Sequence, residues 1–159
     1  MHYRVDRACI RMSVRELCSM ALSSGDLEYG GGRAAFAAMQ TGTKWHQKLQ
    51  AGRGLCYRAE VPLHASTLYD GIVYEVEGRA DGVEQIGESY TVEEIKCVSP
   101  YRFYAPVLPV HMAQLRVYAH FLCLEKGLAG VRVRLLRVRA DDGKTREDGE
   151  FLSAAVLRA

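Results

Sequence analysis

Three consecutive segments with β-strand patterns lie between residues 56 and 98. They read CYRAEVPLHA (56–65), GIVYEVEGRADGV (71–83) and YTVEEIKCV (90–98), and each combines β-branched and aromatic residues with polar positions. A fourth strand pattern, VRVRLLRVR, follows later in the chain and ends before a DDGK turn. Strands of this kind favour one central β-sheet whose apolar faces are covered by helices.

Helical patterns flank these strands on both sides. Ser13 and Glu16 have the spacing of a capping box and predict a first helix that ends near Gly25, before the glycine-rich loop EYGGGR. Two further helices are predicted over about 34–50 and 111–126, with a loop, SPYRFYAPVLP, before the last one. This order of elements predicts an α/β (α+β) domain with a central sheet.

Length, charge and cysteine content exclude several classes of protein. The 159 residues suit one domain with its own core, and a net charge of +2 is too small to indicate a nucleic-acid binder by itself. Five cysteines without a C-x-x-C pair argue against a secreted disulfide scaffold and a zinc ribbon. The sequence has neither an apolar run of membrane-spanning length nor the pattern of a signal peptide at its start. We therefore expect a cytoplasmic protein that makes no membrane contact.

Two carboxylates and one amine fall on neighbouring predicted strands. Asp81 follows an apolar strand, and Glu94 and Lys96 come on the next one. Side chains alternate along a strand, so Glu94 and Lys96 share one face while Ile95 and Cys97 share the other. Mg²⁺ and Mn²⁺ prefer carboxylate ligands, and such an ion can polarise a phosphoryl oxygen beside a charge-neutralising lysine. The alternative is an ion pair on a solvated strand face.

The predicted helices contribute further candidates at the border of the core. Gln114 and Tyr118 are four residues apart on one helical stripe, where an amide and a phenol can hydrogen-bond a phosphate, a base or the lysine. His46 lies on the inward stripe of the second helix, one turn after Gly42, which leaves room for another group to approach. The alternatives are ordinary structural roles: Tyr118 as a core aromatic residue, Gln114 as an exposed amide and His46 as a hydrogen-bonded core histidine.

Several charged residues have two open interpretations. Lys44, Lys48 and Arg53 cluster near the end of the second helix and can contact phosphates. The four arginines of VRVRLLRVR either follow a nucleic-acid backbone or protect a solvated sheet edge, with a β-bulge at the Leu135-Leu136 phase shift. Glu60 is either a further acid near the metal or a charge at a strand edge.

Taken in order, these patterns resemble the PD-(D/E)XK nuclease superfamily, and most of all its RecB/AddB/Cas4-like branch. The matching stretches are GTKWH (Gly42–His46), GRAD (ending at Asp81), EIK (Glu94–Lys96) and QLRVY (Gln114–Tyr118). The stretch SVRELCSMALSSGDL also resembles the leader of nuclease domains found beside DinG/Rad3-like helicases. The resemblance spans about Ser13–Glu125, most of the chain.

The resemblance implies a restriction-endonuclease-like fold, with a central mixed β-sheet flanked by helices, and a Mg²⁺- or Mn²⁺-dependent hydrolysis of DNA. The domain is expected to occupy residues 1–159, either as a whole protein or as one domain of a longer helicase-like chain. By role, the candidate residues are catalytic Asp81, Glu94, Lys96, Gln114 and Tyr118; metal-binding His46, Asp81, Glu94 and the carbonyl of Ile95; and nucleic-acid-binding Lys44, Lys48, Arg53, Arg102, Gln114 and Tyr118.

The cysteines depart from one feature of this branch. Several relatives hold an iron–sulfur cluster on one early cysteine and three grouped after the Gln-x-x-x-Tyr helix. The five cysteines here are scattered, and none follows Cys123. We therefore expect no iron–sulfur cluster and interpret the cysteines as small core residues. Cys97, on the face opposite Lys96, is not expected to be a nucleophile.

The resemblance implies that this protein is a metal-dependent deoxyribonuclease, endo- or exonucleolytic, in DNA repair, recombination or phage- and defence-related DNA processing. Its expected partners are DNA and a helicase domain or subunit. The alternative is a non-catalytic DNA-binding or assembly module of a helicase complex, which binding of a divalent metal would distinguish. A small-molecule phosphohydrolase is a third hypothesis and needs a closed pocket, whereas a groove lined by lysine and arginine favours a polymer.

Overall fold

The structure is a computed structural model that describes residues 5–6, 8–22 and 33–159, with the side chains of 8–22 and 38–159. In this part of the chain the elements are β1 (Val5–Asp6), β2 (Cys9–Ser13), α1 (Val14–Ala21), α2 (Arg33–Ala51), β3 (Tyr57–Tyr69), β4 (Ile72–Ile86), β5 (Ser89–Val98), α3 (Pro100–Tyr104), α4 (Pro109–Lys126), β6 (Gly130–Arg139), β7 (Thr145–Ser153) and α5 (Ala154–Arg158). Not one of these helices combines the length and the apolar character needed to span a membrane.

The seven strands of the described residues form one mixed sheet. The order is β1-β2-β4-β5-β6-β7, and β3 pairs with β4 outside that path. The β2–β4 and β5–β6 pairs are parallel, and the other pairs are antiparallel. The predicted fold class is confirmed: the protein has a central mixed sheet flanked by helices, consistent with a restriction-endonuclease-like fold.

Helices cover both faces of this sheet. On β5, Lys96 reaches Gln114 of α4, whereas the next residue, Cys97, lies beside Gly42 of α2. The face under α4 carries the larger apolar cluster, to which α1 also contributes. The face under α2 carries a smaller cluster, made of Ile95, Leu136 and Val138 with Trp45 and Leu49 at its border. Burial of both clusters holds β5 and β6 between two helical layers.

The predicted helices are present, with caps that the sequence indicated. Ser13 and Glu16 form the capping box of α1. The last turn of α4 is followed by Gly127, whose φ of +65° is the left-handed conformation that glycine adopts without strain. The first helix ends at Ala21, while the predicted end at Gly25 and the glycines of EYGGGR lie outside the described residues.

The predicted loop before α4 contains a short helix, α3, that the sequence pattern did not predict. Ser99 accepts a hydrogen bond from the backbone N–H of Arg102, and Pro100 occupies the first turn of α3. A serine cap followed by proline starts a helix even where later prolines end it. The strands β1, β2 and β7 and the helix α5 were not predicted from the sequence either, because they are short or rich in polar residues.

The interpretation of β6 as a solvated, bulged edge is wrong. β6 lies between β5 and β7, and both registers continue without interruption through Leu135 and Leu136. Leu135 packs under α4, and Leu136 packs under α2. A strand that is buried on both faces carries apolar residues at consecutive positions, so the two leucines need no bulge.

Candidate active site

The central strand β4 changes neighbours in the middle of its length. On one side, β2 pairs with Val73–Glu77 and β5 pairs with Gly82–Ile86. Residues 78–81 therefore lie between the two pairings, at the point where β4 and β5 separate. Peptide groups at such a separation need partners other than a strand ladder.

Both strands of the β3–β4 pair are irregular at this point. Ala80 and Val83 belong to the same apolar cluster although they are three positions apart, so the inward face of β4 shifts by one residue between them. On β3, Glu60 lies opposite Asp81 and has a φ of +54°, which is uncommon for a residue other than glycine. Asp81 therefore lies at a break in the alternation of side chains.

Where β4 and β5 no longer pair, the Asp81 carboxylate supplies a hydrogen-bond partner for the backbone of β5. Its Oδ2 accepts a hydrogen bond of 2.6 Å from the backbone N–H of Ile95. Its Oδ1 lies 3.6 Å from Nδ1 of His46, on α2. The backbone carbonyl of Asp81 accepts from Gln50 at 2.8 Å and from the Tyr57 hydroxyl at 3.3 Å. Asp81 is thus fixed from both β5 and α2.

Glu94 and Lys96 point to the same face of β5, as strand alternation predicted. Lys96 Nζ lies 3.1 Å from Glu94 Oε1 and donates to Gln114 Oε1 at 2.9 Å. The Glu94 and Lys96 side chains retain only 8% and 18% of their exposure, so this ion pair does not lie on a solvated strand face. Gln114 is a buried residue that holds the lysine, and its interpretation as an exposed amide is excluded.

The Tyr118 ring reaches β4 next to this group. A Cβ on Gly78 would lie 2.6 Å from the Tyr118 hydroxyl, so only glycine permits this approach. Burial, with the carboxylates of Glu94 and Asp81, raises the pKa of Tyr118 to about 12. The phenol is therefore protonated at neutral pH and can donate a hydrogen bond.

His46 arrives from the opposite face, on α2. A Cβ on Gly42 would be 3.6 Å from the Cβ of Cys97, so this turn of α2 lies close to β5. Trp45 donates to the carbonyl of Ala140 at 3.4 Å and fixes the same helix against the β6–β7 turn. Residues from both helical layers therefore meet at the separation of β4 and β5: His46 from α2, and Gln114 with Tyr118 from α4.

The site disfavours two simultaneous negative charges. Burial and the neighbouring Asp81 carboxylate raise the pKa of Glu94 to about 7, although Lys96 opposes the shift. Burial also raises the pKa of Asp81, and Glu60 adds to this while Ile95 N–H, His46 and Lys96 oppose it. Glu94 Oε2 is buried without a hydrogen-bond partner. A bound cation, in addition to the Lys96 ammonium, would lower the pKa of both carboxyl groups and give the Glu94 oxygen a partner.

The predicted metal ligands fit a hard divalent cation in chemistry and charge. Asp81 and Glu94 supply carboxylates, His46 an imidazole, and the Ile95 carbonyl lies on the same edge of β5 as the N–H that binds Asp81. Within the residues whose side chains are described, no three His, Cys, Asp or Glu side chains already form a metal-binding group. The fit therefore depends on two observations: the Asp81 carboxylate raises the pKa of Glu94, and Glu94 Oε2 is buried without a partner. The other oxygen, Glu94 Oε1, faces Lys96.

The raised pKa of Glu94 predicts a pH-dependent stability in the absence of metal. Between the ordinary pKa of about 4.3 and the folded value of about 7, the folded protein holds a proton that the unfolded chain releases. The free energy of unfolding should therefore fall as pH rises through this window, by roughly 2–3 kcal/mol. Glu94→Gln should remove the part of the fall that Glu94 contributes and leave the part due to the raised pKa of Asp81, as measured by urea unfolding in EDTA from pH 4.5 to 8. Parallel pH profiles for the two proteins would contradict the assignment.

Three site residues were not singled out by the sequence patterns. The Arg15 guanidinium of α1 opposes the upward shifts in the pKa of Glu94 and Tyr118, which places a positive charge near both. Gln50 donates to Glu60 at 2.9 Å as well as to the Asp81 carbonyl. Burial, then Lys96, Arg102 and Arg137, lowers the pKa of His111 to about 4, so it is neutral beside the lysine.

The predicted phosphate-binding residues divide into two groups. Lys44 and Lys48 are exposed on α2, with the Lys48 ammonium 5.1 Å from the centre of the Trp45 ring. Arg102 is half-buried on α3. Arg53 instead donates to the buried Glu93 carboxylate at 2.5 Å, so its guanidinium is used within the protein. Arg53 therefore differs from the two lysines in having a carboxylate partner, and its role as a phosphate contact stays a prediction.

The arginines of β6 are likewise used within the protein. Arg134 donates to Glu93, which also accepts from the Tyr57 hydroxyl at 2.9 Å. Burial and the Glu93 carboxylate raise the pKa of Tyr57. Arg137 is buried against Asp148, and Arg139 pairs with the DDGK turn. The hypothesis that four arginines form a nucleic-acid ribbon is wrong for these three, because β5, β7 and the β6–β7 turn supply their acidic partners. Arg132 is exposed.

The cysteines follow the prediction in part. Cys18 and Cys123 are buried and Cys9 and Cys97 half-buried, but Cys56 is exposed in the turn before β3, so its interpretation as a core residue is wrong. Cys97 lies on the α2 face, opposite Lys96, as predicted. Burial raises its pKa, which lowers the fraction of reactive thiolate.

A cavity of about 630 Å³ lies apart from this site. It is formed by the apolar sides of α1, α4 and α5 over the β3–β4 hairpin, and its lining includes Leu17, Val76, Phe121 and Leu157. Asp81, Glu94, Lys96, Gln114 and Tyr118 are not among the residues that line it. Its walls carry mainly apolar side chains, so its character differs from that of the charged group.

Comparisons with known proteins support the fold. The crystal structure of SSO0001 matches 98% of this chain and 74% of its own chain, with a TM-score of 0.60 and 18% sequence identity. At that identity the likeness concerns the fold alone. No protein-family model matches the sequence. No curated protein matches it significantly.

Proposed function

We propose that this protein is a metal-dependent nuclease of the PD-(D/E)XK superfamily, in its RecB/AddB/Cas4-like branch, that hydrolyses DNA phosphodiester bonds. The observation that carries the proposal is the convergence of Asp81, Glu94 and Lys96 where β4 and β5 separate. Asp81 is fixed by Ile95 N–H, and Lys96 is fixed by Gln114. Two crowded carboxylates beside a held ammonium suit hydrolysis of an anionic phosphodiester better than a structural ion pair.

The residues of this chain have distinct proposed roles. Asp81 and Glu94, with His46 and the Ile95 carbonyl, would hold Mg²⁺ or Mn²⁺. When bound, the ion would polarise a phosphoryl oxygen and make a nearby water more acidic. The Lys96 ammonium neutralises negative charge that develops on the phosphate. Gln114 holds Lys96 in place. The Tyr118 hydroxyl, beside Gly78 at the border of the site, would donate a hydrogen bond to the substrate.

The proposed nuclease acts in the cytoplasm on DNA. The cysteines of the described chain are free thiols, which agrees with a reduced cytoplasmic compartment. DNA is the proposed substrate, in repair, recombination or phage- and defence-related processing, with a helicase domain or subunit as the partner. Exposed Lys44 and Lys48, with Arg15 and Arg102 nearer the site, are the proposed phosphate contacts.

The direct test is incubation of the protein with labelled single- and double-stranded DNA in Mn²⁺, Mg²⁺ or EDTA. Cleavage with either metal and none with EDTA is the expected result. DNA binding without cleavage or metal binding would favour the alternative, a non-catalytic DNA-binding or assembly module of a helicase complex.

The metal assignment predicts a specific loss of affinity. Asp81→Asn keeps an oxygen that can accept from Ile95 N–H but removes a charged ligand, so Mn²⁺ should bind roughly tenfold more weakly or worse. Calorimetric titration with Mn²⁺ measures this. The matched control is Asp141→Asn, an exposed carboxylate of the β6–β7 turn, which should bind Mn²⁺ like the wild type. Equal affinity in Asp81→Asn and wild type would exclude Asp81 as a ligand.

A further inference from the structure

Two exposed tyrosines stand on the short helix α3. Tyr101 and Tyr104 keep 77% and 65% of their exposure, which is high for large aromatic side chains. They are three residues apart in a helix, so both rings project from one side. Neighbouring exposed aromatics on one surface usually mark a contact site.

The helix that carries them is tied down by contacts to β6 and β7. Arg137 donates to the carbonyls of Arg102 and Ala105, at 3.1 and 2.6 Å. Arg146 of β7 donates to the carbonyl of Phe103 at 3.3 Å, and the Phe103 side chain is buried. A five-residue helix with these anchors presents its exposed rings from a fixed base, which lowers the entropic cost of binding.

Each ring also has a partner that fixes its orientation. The Tyr104 hydroxyl accepts from Arg139 at 3.1 Å, and its ring meets Phe103 edge to face at 5.1 Å. The Arg102 guanidinium lies 5.8 Å from the centre of the Tyr101 ring. The Tyr101 ring and the Tyr104 hydroxyl are therefore each next to a positive charge, a combination that suits a base and its phosphate.

The helix lies next to the candidate active site. β5 ends at Val98, so the five residues from Lys96 to Tyr101 span at most about 18 Å. Arg137, which donates to the carbonyls of Arg102 and Ala105, lies opposite Lys96 in the β5–β6 register, so α3 borders the strand position next to the lysine. A polymer whose phosphate reached Lys96 would have its neighbouring nucleotides within reach of α3.

We propose that Tyr101 and Tyr104 form a stacking surface for unpaired nucleobases, so that the site takes single-stranded nucleic acid. The inference rests on the proposed nuclease function and names its substrate class. In a duplex the base faces are stacked on one another, and only an unpaired strand offers them to a tyrosine. Arg102 adds a positive charge for the backbone beside the stacked bases.

The test is equilibrium binding of fluorescent oligonucleotides in EDTA, so that cleavage does not interfere. Wild type, the Tyr101→Ala/Tyr104→Ala double variant and the Tyr101→Phe/Tyr104→Phe double variant are titrated with a single strand, a duplex and a single strand of abasic sites. Loss of base stacking should raise the Kd of the alanine variant for the normal single strand about tenfold or more. The phenylalanine variant, which keeps both rings, should bind nearly as the wild type does.

The matched control is Tyr69→Ala, at the end of β3 before the turn to β4. Tyr69 is as exposed, at 71%, but its partner Ile72 lies nine residues from Asp81 along β4, or about 30 Å. This variant should bind the single strand with unchanged Kd. The abasic strand should bind wild type and alanine variant equally, because it keeps phosphates and lacks bases.

Two results would overturn the inference. An unchanged Kd in the alanine variant, or equal wild-type affinity for normal and abasic strands, would mean that the tyrosines serve another contact, such as a protein surface. The nuclease proposal would stand in either case if metal-dependent cleavage is observed. Failure of the wild type to bind any of the three oligonucleotides would overturn the stacking inference, whereas the nuclease proposal is decided by the cleavage assay with Mn²⁺ or Mg²⁺.

Discussion

Replacing Lys96 by alanine is expected to slow DNA cleavage roughly 10²- to 10³-fold while leaving DNA affinity and the fold largely intact. The ammonium is held between Glu94 and Gln114, with 18% of the side chain exposed, so it needs no reorganisation during the reaction. Its charge matters most when negative charge develops on the phosphoryl oxygens and the leaving group. The fold survives because Glu94, with a pKa of about 7 already, can bind a proton when its partner is removed.

Single-turnover cleavage measured beside equilibrium DNA binding separates these effects. Lys48→Ala is the matched control, since this exposed lysine on α2 is a candidate phosphate contact outside the buried group. It should show the reverse pattern: weaker, more salt-sensitive binding with near-normal turnover at saturation. If Lys96→Ala cleaved DNA as fast as the wild type, Lys96 would have no catalytic role and would only form an ion pair on β5. The non-catalytic binding module would then be the better explanation.

Local periodicity is enough to predict the direction of the site residues on β5. Strand alternation depends only on the chain itself, so Glu94 and Lys96 could be assigned to one face and Cys97 to the other before any partner strand was known. The helical stripe of Gln114 and Tyr118 has the same origin. These predictions agree with the contacts of Lys96 to α4 and of Cys97 to α2.

The position of Asp81 depends on long-range pairing that the sequence does not reveal. It lies where β2 stops pairing with β4 and β5 begins, and β2 is a short strand with no clear pattern. The contacts of Gln50 and Arg15 with this region arise from the packing of α2 and α1 onto that separation. No spacing rule connects residues that meet only after the sheet has formed.

The arginines of β6 were misinterpreted for a related reason. The sequence of β7, TREDGEFLS, is too polar to predict a strand, so β6 looked like a solvated edge. In the sheet, β7 and β5 place acidic residues beside these arginines, including Asp148 opposite Leu135 and Glu93 opposite Arg134. An alternating row of arginines therefore indicates nucleic-acid binding only when the neighbouring strands offer no carboxylates.

The Glu93 network should be a major contributor to stability. Arg134→Met is expected to lower the free energy of unfolding by about 3 kcal/mol, because it removes a partner from a carboxylate with no exposed surface. The melting temperature should fall by roughly 6–12 °C for a chain of this size. Arg53 and Tyr57 remain bound to Glu93, so the loss should be smaller than for complete isolation of a buried charge. Urea unfolding at pH 7 measures the change.

Two further variants separate the buried charge from general effects on β6. Arg132→Met changes an exposed arginine two residues earlier on the same strand and should alter stability by no more than about 0.5 kcal/mol. Adding Glu93→Gln to Arg134→Met should restore part of the loss, because the double variant buries no unpaired charge. If Arg134→Met unfolded at the same urea concentration as Arg132→Met, then Arg53 and Tyr57 alone would satisfy Glu93, and Arg134 would contribute little beyond its packing.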